Sequence, residues 1–437
     1  MRWLHHRLQL LSTAAVDALF IVIAMPLISE TSHGEHLNSV TQTVSLICSY
    51  WIFGWLFGSY SLLRWSKLKW NQLVQRVVLS ALATLVLALA FGWLSKTTPL
   101  ELPLLQRGNI GPLMLITAFI SILFRALLHK LQKQRSSTYQ ILVEQSENDQ
   151  IETEWLRNNR QAPNTTTFDL LDILLKAPGG LLAISPIIQK TKNLEPIFQK
   201  TLVQKTRLVT LAQLAEEELQ RIPAQWLDES IIQLSGLANG RKIGINSQLK
   251  RLADLVLGVL LLLITVIILF PIAIAIYLSD RGPIFYSQIR TGLFGESFTI
   301  YKLRTMQQMA EENGAQWSDP GDNRITPIGK WLRRSRLDEL PQLLNIIKGE
   351  MSFIGPRPER PELEHDLEVH IPHYRLRHLV RPGLSGWAQV NMAYTSTLED
   401  AKLKLSYDLY YLKNNSFWLD LLILAKTFKT ILKGVGR

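Results

Sequence analysis

Asp338 and Glu339 are adjacent carboxylates that follow Arg333, Arg334 and Arg336 in the run KWLRRSRLDELPQLLNIIKGEMSFIGPRPERPE, Lys330 to Glu362. Neighbouring side chains on a helix point in different directions, so the two acids need not do the same job. One could attack an electrophile while the other binds a metal. A carboxylate among guanidinium groups stays ionised near neutral pH, as a nucleophile or a magnesium ligand must. Taken alone, such a doublet is more often a surface salt-bridge cluster. The loop that follows adds weight, because in GPRPER the fixed φ angles of Pro356 and Pro358 narrow the conformations open to Arg357. A guanidinium placed in advance can grip phosphate oxygens bidentately. Pro341 restricts the residue before it in the same way that any proline does.

Upstream, RGPIFYSQIRTGLFGESFTIYKLRTM sets Arg281, Arg290, Lys302 and Arg304 among aromatic and apolar residues. Basic heads over an apolar body suit a membrane surface and phosphate ligands, and equally a solvated basic face. Downstream, VRPGLSGWAQVN supplies a proline-glycine turn with a tryptophan, and YDLYYLKN places Asp408 beside three tyrosines. Either could be ordinary packing.

The elements that must position these residues begin with four apolar runs, Ser12 to Ser29, Val44 to Leu63, Val77 to Leu94 and Ile110 to Leu128. Each is close to the roughly 20 residues that a spanning helix needs. No small-residue cleavage site follows the first run, so it reads as retained rather than as a signal peptide. Basic residues cluster at Arg2 and Arg7, at Arg64, Lys67, Lys69 and Arg76, and at Lys130, Lys133 and Arg135. The charge rule makes those three places cytoplasmic. The loop from Thr31 to Thr41 has no basic residue, and that from Lys96 to Asn109 has only Lys96 and Arg107, so both should face outward.

From about Thr138 to Asn239 the hydropathy is that of a soluble domain. The runs YQILVE, GLLAIS and RLVTL read as strands and AEEELQR as helix, which together predict a small open α/β sheet. No G-x-G-x-x-G opens a helix after the first strand, so the usual dinucleotide fingerprint is lacking. Asn239 to Ser247 reads as a linker.

The apolar stretch Leu252 to Leu278 follows, with Asp254 near its start and Pro271 in its second half. Straight, it would be about 40 Å long, enough to cross. A fifth crossing, however, would put a very basic segment outside, against the charge rule. Pro271 can kink the helix so that it returns to the face it left.

Net charge is +11 over 437 residues, 47% of them apolar. That balance fits anionic partners such as lipid headgroups or phosphorylated substrates. Nucleic acid is not expected, since no reader motif appears. A transporter is disfavoured because intramembrane charges are few, with Asp17 and Asp254 near helix starts. The lone cysteine, Cys48, excludes an intramolecular disulfide and a cysteine metal cluster.

In order, RGPIFYSQIRTG, FTIYKLRTM, DNRITPIGKWLRR, LDELPQLLNIIKGEMSFIGPRP, RPGLSGWAQVN and YDLYYLKN resemble the bacterial sugar transferase family, the monotopic polyprenyl-phosphate glycosyl-1-phosphate transferases, over about Gln248 to Arg437. The N-terminal spans and the α/β domain resemble the large form of that family in layout. The resemblance implies a membrane protein of α plus α/β class. Residues 1–135 would form a four-helix transmembrane bundle and 136–240 a small cytoplasmic α/β domain, degenerate and nucleotide-binding-like. Residues 248–437 would form a mostly helical catalytic domain on a re-entrant helix over about 252–278, with Pro271 in a structural role.

It also implies the chemistry. Asp338 would attack the β-phosphorus of a UDP-sugar, release UMP and hold the sugar phosphate, with Glu339 a ligand of Mg2+. Undecaprenyl phosphate would then accept the group, as the first membrane step of exopolysaccharide or O-antigen type synthesis. The activity expected is that of an undecaprenyl-phosphate glucose or galactose phosphotransferase. Lys302, Arg304, Arg333, Arg357 and Asp408 would bind substrate. The setting would be the inner membrane with the catalytic domain on the cytoplasmic face, and a homodimer is allowed. Compact relatives carry an arginine shortly after GWAQVN where this chain reads NMAYTSTLED, which leaves one substrate contact and the sugar open. The alternative from another class is a non-catalytic membrane-anchored sensor or scaffold for a nucleotide or lipid.

Overall fold

A chain that enters hydrocarbon must satisfy its backbone polar groups internally, which favours helices. The computed structural model describes residues 2–29, 39–60, 70–94, 107–134, 139–143, 147–158, 164–167, 181–191, 195, 199, 201, 207–227, 245–308, 322–392 and 397–432. Its first part consists of α1 (Arg2–Ser29), α2 (Ser39–Phe57), α3 (Trp70–Leu94) and α4 (Arg107–Gln134). All four contribute to one core, through Ile21, Tyr50, Val77 and Leu113 among others. Outward side chains such as Ile52, Val86, Leu115 and Phe119 are exposed and apolar, as lipid-facing positions are. Leu73–Ala90 and Ile110–Leu128 are long and apolar enough to cross a membrane. The apolar stretches of α1 and α2 among the described residues, Leu11–Ala24 and Thr43–Phe57, are shorter. Arg64, Lys67, Lys69, Lys96 and Arg135, which carry part of the expected orientation, lie outside the described residues.

Two charges inside these helices correct the reading of the sequence. Asp17 sits in the middle of α1 rather than near its start, because the helix already begins at Arg2. Its partner is Arg125 of α4, which donates to both carboxylate oxygens at 3.1 and 2.9 Å, and the Tyr60 hydroxyl donates to the same group at 2.7 Å. Both charges are buried.

The sheet that follows has strands β1 (Tyr139–Val143), β2 (Asn164–Thr167), β3 (Leu181–Ile184) and β4 (Arg207–Thr210) in the order β2-β1-β3-β4. The pairs β1/β2 and β3/β4 are parallel. The expected strand runs became β1, β3 and β4. β2, with sequence NTTT, gave no apolar alternation and rests on the β-preference of branched threonine. Between the strands lie α5 (Asn148–Arg157) and α6 (Pro186–Thr191), and α7 (Leu211–Leu219) follows β4 directly. The Thr210 hydroxyl and the Gln213 side chain close a capping box that ends β4 and starts α7.

By its internal contacts the chain forms two compact units, 1–139 with 149–162, and 140–148 with 163–437. Most of the α/β sheet therefore belongs with the C-terminal part. Of the expected linker, 239–244 lie outside the described residues and Ile245 to Ser247 already begin the next helix.

That helix, α8 (Ile245–Asp280), runs through Pro271 without interruption. Asp254, Gly258, Thr265, Ile272 and Ile276 form one buried stripe at helical spacing, and most of the remaining surface is apolar and exposed. Near its start Arg251 donates to the carbonyls of Ile346 and Ile347, and Asp254 accepts from Phe353 N at 3.1 Å. Leu262 packs against the core of Ile300, Leu343 and Ile346, and Ile272 and Ile276 pack with Leu303 and Leu332. From Arg251 to Ile276 the helix thus contacts the same domain.

That domain contains an antiparallel hairpin, β5 (Phe285–Thr291) and β6 (Ser297–Leu303), then α9 (Pro327–Ser335) and α10 (Leu343–Lys348). Strands β7 (Ser352–Ile354) and β8 (Gly383–Ser385) pair in parallel on either side of α11 (Pro361–His370). α12 (Trp387–Asn391), α13 (Leu398–Asn414) and α14 (Phe417–Leu432) complete it. α7 and the segment after it dock here: Trp387 Nε1 donates to Gln220 O at 2.9 Å, Ile222 N to Ser406 O at 2.8 Å, and Lys413 Nζ to Glu216 at 2.7 Å.

Candidate active site

Thr326 caps α9 with its hydroxyl and Pro327 supplies the first-turn φ, so the start of this helix is locally determined. It ends at Arg336, which adopts φ 61° and ψ 16°. A left-handed non-glycine residue costs about 1–2 kcal/mol. The strained turn feeds a 3-10 segment, Leu337–Gln342, in which Asp338 and Glu339 are both buried.

Three cations from three elements converge on Glu339. Arg357 Nη2 donates to Oε1 at 2.6 Å, Lys302 Nζ from β6 lies 3.5 Å from the same oxygen, and Arg336 Nη1 lies 3.5 Å from Oε2. Burial opposes ionisation of Glu339, but Arg357, Lys302 and Arg336 outweigh it and hold the carboxyl well below its usual range. Asp338 goes the other way. Burial and then the Glu339 charge push it up to about 6, against the pull of Lys302, Arg333 and Arg357. The doublet is therefore split into a firm anion and an acid that titrates close to neutrality. Lys302 is pushed down to about 8 by burial, against the pull of Glu339. The Arg357 side chain stays 32% exposed, that of Arg336 33% and that of Lys302 18%, so these cations remain partly open to solvent.

The loop that carries Arg357 is braced by its neighbours. Gly355 N donates to Ser385 O and Gly383 N to Pro356 O, at 2.9 and 2.8 Å. A Cβ on either glycine would collide with the facing backbone, which is why GPRP and RPGLSG need glycine at these two places.

Of the expected site residues, Lys302, Asp338, Glu339 and Arg357 are brought together. Arg333 Nε donates to Thr305 Oγ1 at 2.9 Å, and its charge acts on Asp338. Arg304 is buried beside Thr305, with its guanidinium against Gly282. Asp408, on α13, pairs with Arg377 at 3.1 Å and is 1% exposed, so its carboxylate lies behind the Arg357 loop. Arg336 was read only as one of the arginines that precede the acid pair. Arg377, Glu359 and Lys404 were not singled out from the sequence, because they meet partners far along the chain. Of NMAYTSTLED, 393–396 lie outside the described residues, and Thr397 with Asp400 forms the capping box of α13.

Among the described residues no group of three or more His, Cys, Asp or Glu could hold a metal. Magnesium needs only one or two carboxylates when phosphate and water oxygens fill its shell. The adjacent Asp338 and Glu339 fit that donor chemistry.

The two-stranded hairpin, the arginine-gripped acid doublet and the proline-flanked Arg357 all fall, with the long apolar helix, within residues 245–434, which match the bacterial sugar transferase family. The chain belongs to that family. It is 44% identical over 188 residues to a UDP-N-acetylgalactosamine-undecaprenyl-phosphate N-acetylgalactosaminephosphotransferase of Aeromonas hydrophila, covering 43% of this chain and 44% of that protein. It is 39% identical over 193 residues to a UDP-glucose:undecaprenyl-phosphate glucose-1-phosphate transferase of Escherichia coli K12, covering 44% and 41%. An uncharacterised sugar transferase of Bacillus subtilis is 42% identical over 189 residues, 43% of this chain and 89% of that one. The match thus spans less than half the length of the first two relatives and most of the third.

Proposed function

We propose that this chain transfers a sugar 1-phosphate from a UDP-sugar to undecaprenyl phosphate, releasing UMP. The observation that carries the reading is the split doublet, a buried Asp338 beside a Glu339 held by Arg357, Lys302 and Arg336. Phosphoryl transfer needs positioning and neutralisation of charge, and a covalent step divides one transfer into two. Ionised Asp338 attacks the β-phosphorus, a bond from its carboxylate oxygen to phosphorus forms, and the bond from that phosphorus to the UMP oxygen breaks. An oxygen of undecaprenyl phosphate then attacks the same phosphorus, and the Asp338 carboxylate leaves unchanged. Arg357 and Lys302 stand where phosphate oxygens would replace part of the Glu339 contact. Glu339 would hold Mg2+, which supplies neutralising charge when bound. The substrates named for the relatives, UDP-N-acetylgalactosamine and UDP-glucose, frame the sugar donor as a UDP-hexose.

The membrane setting follows the same lines. The four N-terminal helices form a bundle in the inner membrane, and α8 enters the cytoplasmic leaflet and returns, bent at Pro271. Contacts of α8 with one domain, at Arg251 and Asp254, at Leu262, and at Ile272 and Ile276, support this topology, because a straight crossing would carry one end to the far side. An acceptor whose headgroup stays at the interface and a soluble UDP-sugar then meet at one face.

The test is release of UMP from UDP-N-acetylgalactosamine, UDP-glucose and UDP-galactose by purified protein with magnesium and undecaprenyl phosphate. Asp338→Asn is expected to abolish it. Binding of UDP-sugar without UMP release from any member of the panel would instead favour the sensor or scaffold. For topology, a cysteine introduced by Asp280→Cys in a Cys48→Ser background should resist a membrane-impermeant thiol reagent in intact cells. Labelling from outside would refute re-entry.

A further inference from the structure

An irregular loop must find a partner for every buried carbonyl, and those partners decide how precisely its side chains are aimed. Four consecutive carbonyls of the Arg357 loop have donors from four different sources. Pro356 O accepts from Gly383 N at 2.8 Å, Arg357 O from Arg377 Nη2 at 2.8 Å, Pro358 O from Arg290 Nη1 at 3.2 Å, and Glu359 O from Thr291 N at 3.0 Å. The Glu359 carboxylate is held in turn by Lys404 and Arg290. Arg357's own carbonyl therefore depends on one long side chain.

That side chain is immobilised. Arg377 Nη1 donates to Tyr374 Oη at 2.8 Å and to Glu364 Oε1 at 3.3 Å, and its Nε donates to Asp408 Oδ2 at 3.3 Å. Arg377 is 3% exposed, and the space it shares with Glu359, Tyr374, Lys404 and Asp408 admits no water-sized sphere. A ligand cannot reach these groups without displacing them. Apolar packing of the same volume could stabilise this core as well as ions do. What the charges add is direction: Asp408, Glu364 and Tyr374 point the Arg377 fork, and the fork fixes the backbone from which Arg357 reaches Glu339.

We propose that Arg377 is a positioning residue for the transfer reaction, presetting Arg357, and that Asp408 acts through it without touching substrate. The inference rests on the reading of Arg357 as a phosphate ligand. A displacement near 1 Å at such a group can cost about 10²-fold in rate.

The experiment is a double-mutant cycle with Arg377→Gln, Arg357→Gln and both together, reading kcat and KM for UMP release from the better UDP-sugar, with the melting temperature recorded for each. Arg377→Gln is expected to lower kcat/KM by about 10²-fold through kcat in the native background, and to add little once Arg357 is gone. An equal loss in both backgrounds, or none in the native one, overturns the proposal, because a role confined to folding does not depend on Arg357. If Arg377→Gln does not fold, Asp408→Asn takes its place in the cycle, with a smaller loss expected that likewise vanishes with Arg357→Gln. If the native protein releases no UMP, the functional reading fails. The positioning claim is then judged by calorimetric binding of inorganic diphosphate: Arg357→Gln and Arg377→Gln must weaken it alike, and unchanged affinity in the latter overturns the claim.

Discussion

Arg125 and Arg357 each meet a buried carboxylate, and the two sites differ in what surrounds the pair. In the membrane unit Arg125 grips both oxygens of Asp17, Tyr60 completes the shell, and both charges are closed off. At the acid doublet Glu339 shares three cations that remain partly open to solvent, and a second acid stands beside it. A closed pair of equal and opposite charge has nothing left to bind and serves as a fastener. An open cluster in which cations outnumber the firm anion leaves room for further negative charge, which phosphates carry.

The comparison breaks most visibly at Arg125. Replacing it with leucine leaves the Asp17 charge buried without its counter-ion, with only the Tyr60 hydroxyl still donating to it, which costs about 3–5 kcal/mol. Thermal unfolding in detergent should register the loss, and Asp17→Leu combined with Arg125→Leu should recover most of it. UMP released per folded molecule should stay within error of the native value. A double variant no more stable than the single one would mean that the pair is not a fastener.

The second test sharpens the open side. Asp338 must be ionised to attack, and it is pushed up to about 6, so kcat/KM should rise with pH through that value. Lys302 is pushed down to about 8, so the rate should fall again as its charge is lost. Bound magnesium would move the acid limb lower. Lys302→Arg keeps the charge at all working pH and should remove the alkaline limb while the acid limb stays; an alkaline limb that persists assigns it to another group. The stability sign is opposite to that of an ordinary paired acid. The folded protein holds the Asp338 proton more tightly than the unfolded chain does, so stability from this group is present below the unfolded carboxyl value and lost as pH rises through about 6. Asp338→Asn should accordingly raise the melting temperature at pH 7 while it abolishes activity.

How much of this was legible follows from where each partner lies. Lys302, Asp338, Glu339 and Arg357 stand in short runs whose prolines, glycines and basic neighbours mark them locally. The runs that became β1, β3 and β4 were likewise local. Asp17 and Arg125 are 108 positions apart, Arg377 and Asp408 31, and Lys404 and Glu359 45. At such separations neither the pairing nor the burial that makes it necessary leaves a mark in either neighbourhood. Asp408 illustrates the difference: its motif was recognisable, but its direction, toward Arg377, depended on packing. The positive φ of Arg336 was also invisible, since arginine is not the residue that such a turn prefers.

The smallest expected effect concerns the seam between the sheet and the helices α12 and α13. Glu216 of α7 accepts from Lys413 Nζ at 2.7 Å and from Asn414 Nδ2 at 2.8 Å, on the helix that also carries Lys404 and Asp408. The ion pair is partly exposed, and such pairs are worth about 0.2–1 kcal/mol. The seam keeps two backbone-anchored bonds, Trp387 to Gln220 O and Ile222 N to Ser406 O, after the side chain is cut back. Glu216→Ala should therefore lower the melting temperature by only a few degrees and leave UMP release within about twofold. A tenfold loss of activity at unchanged stability would contradict that estimate. It would mean that α13 transmits the state of the α/β domain to the Arg357 loop through Lys404 and Asp408, and that the seam belongs with the open cluster rather than with the fasteners.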